Sequence, residues 1–284
     1  MKKIFSYSLF EPKTLPKHRF WDNQRLEKQR YWYNIPAIAI INKIVYPEYE
    51  SVVYISRNIA ENPLFEVFNA CKNLNYEIID KEYVLTEPAI WRMIPLWSPG
   101  VELCCPRDLD SLTSKEEYNF LCEFIDSDFT VGTIRSHENH HGISCRMLAG
   151  LSSFKPNKIG PQIKGLNFEF YYSMKHQNYG SDQDLMIKTF TKNSEFTKKY
   201  FLDYKINNQK NVQNFPCNTI EIRDRKIEQR KMEIFYNIQK CTHTTWLGQP
   251  CDSRGEILNY LLSYDNEIKN NMLKSSFLKE FYRI

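Results

Sequence analysis

The sequence lacks the features that would place the protein in a membrane, in an oxidising compartment or on a nucleic acid. No run approaches the roughly 18 apolar residues of a membrane-spanning helix. The eight cysteines show no Cys-x-x-Cys spacing and several lie in apolar surroundings, so we expect reduced core residues of a cytoplasmic protein. The net charge is only +4 and the basic residues are dispersed, which argues against a nucleic-acid groove.

The first ten residues also lack the pattern of a signal peptide. Ser6 and Tyr7 interrupt the apolar run, and no small-residue cleavage site follows, so we expect residues 2–10 to form the first strand. The 42% apolar and 14% aromatic content is that of a packed globular protein. A chain of 284 residues is long enough for one large α/β domain or two small ones.

Strands and helices alternate along the first half of the chain. We predict further strands at 52–55, 76–79, 101–105 and 129–134, and helices at 27–44, from 62, at 89–96 and from 115 to about 125. Ser114 and Glu117 have the spacing of a capping box for the last of these helices. Such alternation indicates crossover connections and a largely parallel sheet.

The second half of the chain is less regular. We predict an added strand at 167–172, a helix at 181–190, a surface loop at 205–219 and a helical C-terminus at about 253–283. The sequence therefore predicts a single α/β domain over 1–284. Its nucleotide-binding half would be 1–150, and a smaller irregular acceptor-side half would be 151–284.

Two aspartates directly follow the buried strand predicted at 101–105, in the sequence Arg107-Asp108-Leu109-Asp110-Ser111. The carboxyl end of a strand in an open α/β sheet faces the crevice in which ligands bind. Carboxylates at i and i+2 can share one hard divalent cation there, since Mg²⁺ and Mn²⁺ favour oxygen ligands and substrate phosphates. A loop of solvated carboxylates, or an N-cap for the next helix, is the alternative interpretation.

Several short segments occur in the order found in the nucleotide-diphospho-sugar transferases of the GT-A fold, and together they span about residues 2–252. In chain order they are Phe5-Ser-Tyr-Ser-Leu9, Tyr46-Pro-Glu-Tyr49, Trp91-Arg92, Arg107-Asp-Leu-Asp-Ser111, Arg135-Ser-His137-Glu-Asn-His140, Gly142-Ile143 leading to Gly150, Ser181-Asp182-Gln183 and Trp246-Leu-Gly248-Gln249. The chain resembles in particular small bacterial and viral glycosyltransferase-like proteins. It departs from their pattern at Ser136, where they carry Asp, and at Arg146-Met-Leu-Ala-Gly150, where they carry Gly-Gly-Met-Trp-Gly.

The resemblance implies a GT-A-like, Rossmann-type α/β fold with a mostly parallel sheet flanked by helices. It also implies a metal-dependent glycosyltransferase that moves a sugar from a UDP- or GDP-sugar to a hydroxyl acceptor, in the synthesis of a surface glycan. Asp108 and Asp110 would hold Mn²⁺ or Mg²⁺, with His243 as a third ligand.

The resemblance also implies residues that contact the substrates. Ser8, Arg92, Arg107 and Asp108 would contact the nucleotide-sugar, although either arginine could instead pair with the aspartates or be a buried structural partner. Asp182 and Gln183 would lie beside the donor sugar, although Asp182 could instead cap the helix that begins there. In an inverting enzyme the general base would be Asp182 or, as second candidate, His137.

Three other interpretations stay open. A sugar nucleotidyltransferase of the same fold usually carries a Gly-rich loop with a Lys after the first strand, but residues 10–17 contain no glycine. A non-catalytic binding module would keep the fold without the chemistry. A zinc site would draw its ligands from two groups: His137, His140, His141 and Cys145, and the strand cysteines Cys104 and Cys105.

Overall fold

The computed structural model describes residues 1–11, 29–82, 87–135, 147–163, 181–190, 201–205, 218–219, 226–242 and 251–284. Its centre is an eight-stranded sheet with the strand order β3-β2-β1-β4-β6-β5-β7-β8. The strands are β1 (Lys2–Leu9), β2 (Tyr49–Ser56), β3 (Leu74–Ile79), β4 (Val101–Pro106), β5 (Val131–Arg135), β6 (Ser152–Phe154), β7 (Phe201–Lys205) and β8 (Asn218–Thr219).

Helices lie on both faces of this sheet. In chain order they are α1 (Arg30–Tyr33), α2 (Ile35–Val45), α3 (Arg57–Ala60), α4 (Glu66–Ala70), α5 (Lys115–Asp126), α6 (Pro156–Ile163), α7 (Ser181–Phe190), α8 (Gln229–Thr242), α9 (Glu256–Leu262), α10 (Asn266–Leu273) and α11 (Ser276–Tyr282). The 3-10 segments are Pro63–Phe65, Glu87–Trp97 and Ala149–Leu151. Among the described residues, no helix combines the length and the apolar character needed to cross a membrane.

The strand pairing confirms the predicted α/β class with a mostly parallel sheet. β1 runs parallel to both β2 and β4, and β7 runs parallel to both β5 and β8. The short strand β6 is antiparallel to its neighbours β4 and β5, and the sequence analysis missed it. Its residues Ser152 and Ser153 are fully buried although polar, so the segment lacks the apolar pattern by which a strand is recognised.

Neighbouring residues of β4 contribute to opposite sides of the core. Cys105 packs with the larger apolar cluster, which contains side chains of α2, α5 and the C-terminal helices. Cys104 packs with a second cluster, formed by the 3-10 segment Glu87–Trp97 together with α6 and α7. The alternation follows from the two-residue period of a strand and leaves β4 buried on both faces.

Most predicted elements in the described ranges are confirmed within a few residues. The helix predicted at 27–44 is divided into α1 and α2, and Pro36 lies in the first turn of α2, where it needs no hydrogen-bonded N–H. Ser114 caps α5 by accepting a hydrogen bond from the Glu117 N–H at 3.2 Å. The strand predicted at 167–172 lies outside the described residues, as does most of the loop predicted at 205–219. The described ends of that loop belong to β7 and β8, so the loop prediction is wrong there.

Candidate functional site

The candidate site lies at one edge of the sheet, where β1 and β4 end side by side. These strands are parallel, so their carboxyl ends meet, and Asp108 and Asp110 follow directly on β4. Ser8 lies near the end of β1, and its Oγ accepts a hydrogen bond of 2.9 Å from the backbone N–H of Arg92. Ser8 thereby fastens the 3-10 segment Glu87–Trp97 to the same edge.

Arg92 joins two carboxylates that are far apart in sequence. Its Nη1 donates to Asp108 Oδ1, and its Nη2 donates to Asp182 Oδ2 at 2.5 Å. Asp182 lies in the first turn of α7, and its four-residue spacing to Met186 and Phe190 places all three on the helix face that packs inward. The structure therefore brings together three residues that the sequence analysis assigned to the site, with Arg92 paired to the aspartates.

The Arg92 side chain is almost completely buried, with 9% of its surface exposed. Burial alone would lower the pKa of its guanidinium group, but the carboxylates of Asp108 and Asp182 raise that pKa overall, so the group stays charged. No acceptor among the described residues binds its buried Nε–H. The Arg92 Nε–H therefore has no hydrogen-bond acceptor among these residues, although the same guanidinium group binds both carboxylates.

Asp110 is paired with a second arginine, Arg30, in the first turn of α1. Arg30 Nη2 lies 2.8 Å from Asp110 Oδ2, and the side chains are 15% and 7% exposed respectively. Burial, and next the charge of the nearby Asp108, raise the pKa of the Asp110 carboxyl to about 6. The carbonyl of Asp110 also accepts a hydrogen bond of 2.8 Å from the Cys251 N–H, which ties the C-terminal region to the site.

Arg30 is a site residue that the sequence analysis missed. It lies within the helix predicted at 27–44, where an arginine is an ordinary surface residue, and nothing in the local sequence connects it with Asp110. Asn34 gave a clearer signal, as a polar residue between apolar ones. It is fully buried, and its side chain binds the carbonyl of Cys251 and the N–H of Ser253.

Gly150 packs directly against Asp108. A Cβ atom built on Gly150 would lie 1.9 Å from Asp108 Oδ2 and 2.6 Å from its Cγ, so only glycine fits at this position without displacing the carboxylate. Gly150 lies two residues before β6, which runs antiparallel to β4 and so begins beside the end of β4. In the sequence, Gly150 stands out only as part of the resemblance.

Arg107 was predicted to contact the donor, with a buried structural role as the alternative, and its surroundings favour the structural role. Its Nε donates to Glu117 Oε1 at 2.5 Å, and both side chains are 6% exposed. Its Nη1 donates to the carbonyls of Pro106 and Ser152. Because Glu117 pairs with Arg107, its carboxylate does not complete the predicted capping box at Ser114.

The environment of the two aspartates contradicts the interpretation of a solvated loop. Asp110 is buried, and Asp108 keeps 40% of its side chain exposed while it binds Arg92. The helix after Ser111 begins only at Lys115 and is capped by Ser114, so neither aspartate is its N-cap.

The other predicted ligands divide into two groups. His137, His243 and the remaining zinc candidates at 140, 141 and 145 lie outside the described residues. Cys104 and Cys105 pack on opposite faces of the sheet and therefore cannot bind one zinc ion together. In the part of the chain that the structure describes, no three His, Cys, Asp or Glu side chains form a metal-binding group.

The donor set at Asp108 and Asp110 nevertheless fits a hard cation. The carboxylates of Asp108, Asp110 and Asp182 carry one more charge than the two guanidinium groups that they contact. Repulsion from Asp108 contributes to the raised pKa of Asp110, and a cation between the two would relieve it. Asp108 Oδ2 is not the oxygen that binds Arg92, and its carboxyl group is partly exposed.

The solved structures that are similar to this chain include the following two. The first is a protein described as a nucleotide-diphospho-sugar transferase from Desulfovibrio desulfuricans G20, with a TM-score of 0.41 and 9% identity over 95% of this chain and 99% of that one. The second is 4-diphosphocytidyl-2C-methyl-D-erythritol synthase from Anaerococcus prevotii DSM 20548, with a TM-score of 0.38 and 11% identity over 84% of this chain and 99% of that one. No protein-family model matches the chain, and no curated protein matches its sequence. The function proposed below therefore rests on the chain's own residues.

Proposed function

We propose that the protein is a metal-dependent glycosyltransferase that moves a sugar from a nucleoside-diphosphate-sugar to a hydroxyl acceptor. The observation that carries this proposal is the meeting of Asp108, Asp110 and Asp182 around two guanidinium groups, the buried Arg92 and the half-buried Arg30, at the carboxyl edge of β4. Ligands of open α/β sheets bind at this edge. Buried charged groups that shift the pKa of their neighbours are typical of functional sites.

Asp108 and Asp110 would hold the cation, either Mn²⁺ or Mg²⁺, and His243 is the predicted third ligand. When bound, the cation would neutralise the diphosphate leaving group and orient it. Asp108 would offer Oδ2, the oxygen that Arg92 does not bind, while Arg92 holds Oδ1 and Gly150 packs against the carboxylate.

Arg92 would also fix the distance between the cation and the sugar, because one rigid guanidinium group binds both Asp108 and Asp182. Asp182 would then lie beside the donor sugar, with the half-buried Gln183 next to it on α7. In a retaining enzyme the Asp182 carboxylate would stabilise positive charge on the sugar. In an inverting enzyme it would accept the proton of the acceptor hydroxyl group.

The test is a screen of nucleotide-sugar donors for nucleotide release in the presence of Mn²⁺, repeated with Asp110→Asn. We expect turnover to fall by several orders of magnitude, because removing a ligand of the cation removes most of the stabilisation of the leaving group. Asp80→Asn is the matched control, since Asp80 also pairs with an arginine, Arg57, but both side chains are 67% exposed.

The products distinguish the three interpretations that keep this fold. Release of a nucleoside diphosphate would support glycosyl transfer, whereas release of pyrophosphate would indicate a nucleotidyltransferase. Mn²⁺-dependent binding of UDP or GDP, seen as a thermal shift without turnover of any donor, would indicate a binding module. Equal turnover in Asp110→Asn and the unaltered protein would refute the role given to the aspartates.

A further inference from the structure

Each aspartate of the predicted cation site already has a cationic partner within the protein. Arg92 binds Asp108, and Arg30 binds Asp110 at 2.8 Å. The Asp110 pair is well shielded from water, so its two charges attract each other more strongly than a surface pair would. A cation that binds the Asp110 oxygen facing Arg30 must therefore compete with that arginine.

A guanidinium group and a divalent cation that share one carboxylate oxygen must lie close to each other. A Mg²⁺ or Mn²⁺ ligand lies about 2.1 Å from the ion, which would put the cation within a few ångströms of the Arg30 guanidinium group. At that separation the two positive charges repel each other strongly, because little water screens them. Binding of a cation at Asp110 Oδ2 therefore requires Arg30 to move.

We propose that Arg30 is the internal counter-ion of the cation site: it neutralises Asp110 while no cation is bound, and the divalent cation displaces it. This inference rests on the proposed function. It gives Arg30 a role opposite to that of a residue that merely orients a ligand. Removing Arg30 should strengthen cation binding rather than weaken it.

Arg30 is better placed to be displaced than Arg92. Arg92 is held by two carboxylates and by the carbonyl of Arg107, and all of these contacts would have to be rearranged. Arg30 is the more exposed of the two arginines. It also contacts Tyr31, whose ring lies 4.6 Å from the guanidinium carbon and whose hydroxyl accepts a hydrogen bond of 2.8 Å from Nη2. The guanidinium group would therefore keep a cation–π partner after it leaves Asp110.

The experiment measures binding of Mn²⁺ alone, without nucleotide, from the electron paramagnetic resonance signal of the free ion. We expect Arg30→Gln to bind Mn²⁺ about tenfold more tightly than the unaltered protein at low ionic strength, because one competing charge has been removed. Arg30→Lys keeps a charge at this position but loses the planar group, so its affinity should lie between the two. Asp110→Asn should bind Mn²⁺ more weakly than any of these.

Controls separate this effect from a general loss of stability. Arg57→Gln removes an exposed arginine that also pairs with an aspartate, Asp80, and should leave the Mn²⁺ affinity unchanged. Thermal unfolding of each variant, with and without Mn²⁺, shows whether it is folded. Without Mn²⁺ we expect Arg30→Gln to unfold at a lower temperature than the unaltered protein. Addition of Mn²⁺ should raise the unfolding temperature of Arg30→Gln by more than it raises that of the unaltered protein.

The outcomes also separate this inference from the proposed function. If the unaltered protein and Arg30→Gln bind Mn²⁺ equally, or if Arg30→Gln binds it more weakly, Arg30 does not compete with the cation and the inference is wrong. The proposed function then stands. If neither protein binds Mn²⁺, the metal-dependent function is wrong and the inference fails with it. If Arg30→Gln is unfolded, Arg30→Lys decides by the same comparison.

Discussion

Replacing Gly150 by alanine tests whether the position of Asp108 matters to the proposed reaction. The new Cβ would lie 1.9 Å from Asp108 Oδ2, whereas ordinary contacts begin at 3.4 Å, so the carboxylate must move by more than an ångström. The protein can accommodate this because Asp108 is a side chain with 40% of its surface exposed. The change therefore acts on the site rather than on the core.

The expected cost is small for stability and large for activity. Moving Asp108 breaks its hydrogen bond to Arg92; such a charged bond contributes about 1.5–3 kcal/mol when buried, and the partial exposure of Asp108 reduces this to about 1–2 kcal/mol. A displacement of this size in a residue that positions a reacting group lowers turnover on the order of a hundredfold. Urea unfolding measures the first quantity, and nucleotide release with Mn²⁺ measures the second.

Gly100→Ala is the matched control. Gly100 has a φ of +77°, and among the described residues other than its chain neighbours no atom lies within 4 Å of a Cβ built there. Alanine should therefore cost about 1 kcal/mol of stability through backbone strain without touching the site. The two variants should therefore have similar stability but very different turnover. Gly150→Ala with the turnover of the unaltered protein would refute the assignment of Asp108, and so would an equal loss of turnover in both variants.

Three further predictions concern the surroundings of the site. The pKa of the Asp110 carboxyl is about 6 in the folded protein, above its ordinary 3.8, so the folded state holds more protons between these values. The free energy of unfolding should fall by about 2–3 kcal/mol as the pH rises from 4 to 6.5 without added cation, and urea titrations of Asp110→Asn should lack this decrease. Arg107→Leu leaves the Glu117 carboxylate buried and unpaired, and should lower the free energy of unfolding by about 3–5 kcal/mol. The double variant with Glu117→Leu should recover part of this loss. Equal urea midpoints of the single and double variants would contradict the pairing. Asn34→Ala removes the hydrogen bonds to Cys251 and Ser253. We expect the free energy of unfolding to fall by about 2 kcal/mol and the backbone amides of both residues to exchange faster. Unchanged amide exchange at these residues would contradict the prediction.

The sequence was informative where one local pattern determines one structure. The apolar run at 101–105 predicted β4, and a strand end in such a sheet predicted that Asp108 and Asp110 lie at its carboxyl edge. Ser114 likewise predicted the start of α5. These features depend on a few neighbouring residues, and the periods of strands and helices are enough to find them.

The contacts between distant residues could not be predicted in the same way. Arg92 meets Asp182 because α7 packs on the 3-10 segment Glu87–Trp97, and Arg30 meets Asp110 because α1 lies beside the end of β4. An arginine carries the same local signal whether it faces solvent or an acid. The close approach of Gly150 to Asp108 follows from the direction of β6. This strand could not be recognised from the sequence, because its buried serines lack the apolar pattern of a strand.

The reversed direction of β6 has a consequence for how this protein can diverge. Two chain segments reach the site from opposite directions, one leaving the sheet at β4 and the other entering it at β6, and they touch at Asp108 and Gly150. A larger side chain at position 150 displaces the carboxylate of Asp108. Among descendants of this chain that keep Asp108 in place, position 150 should therefore stay glycine.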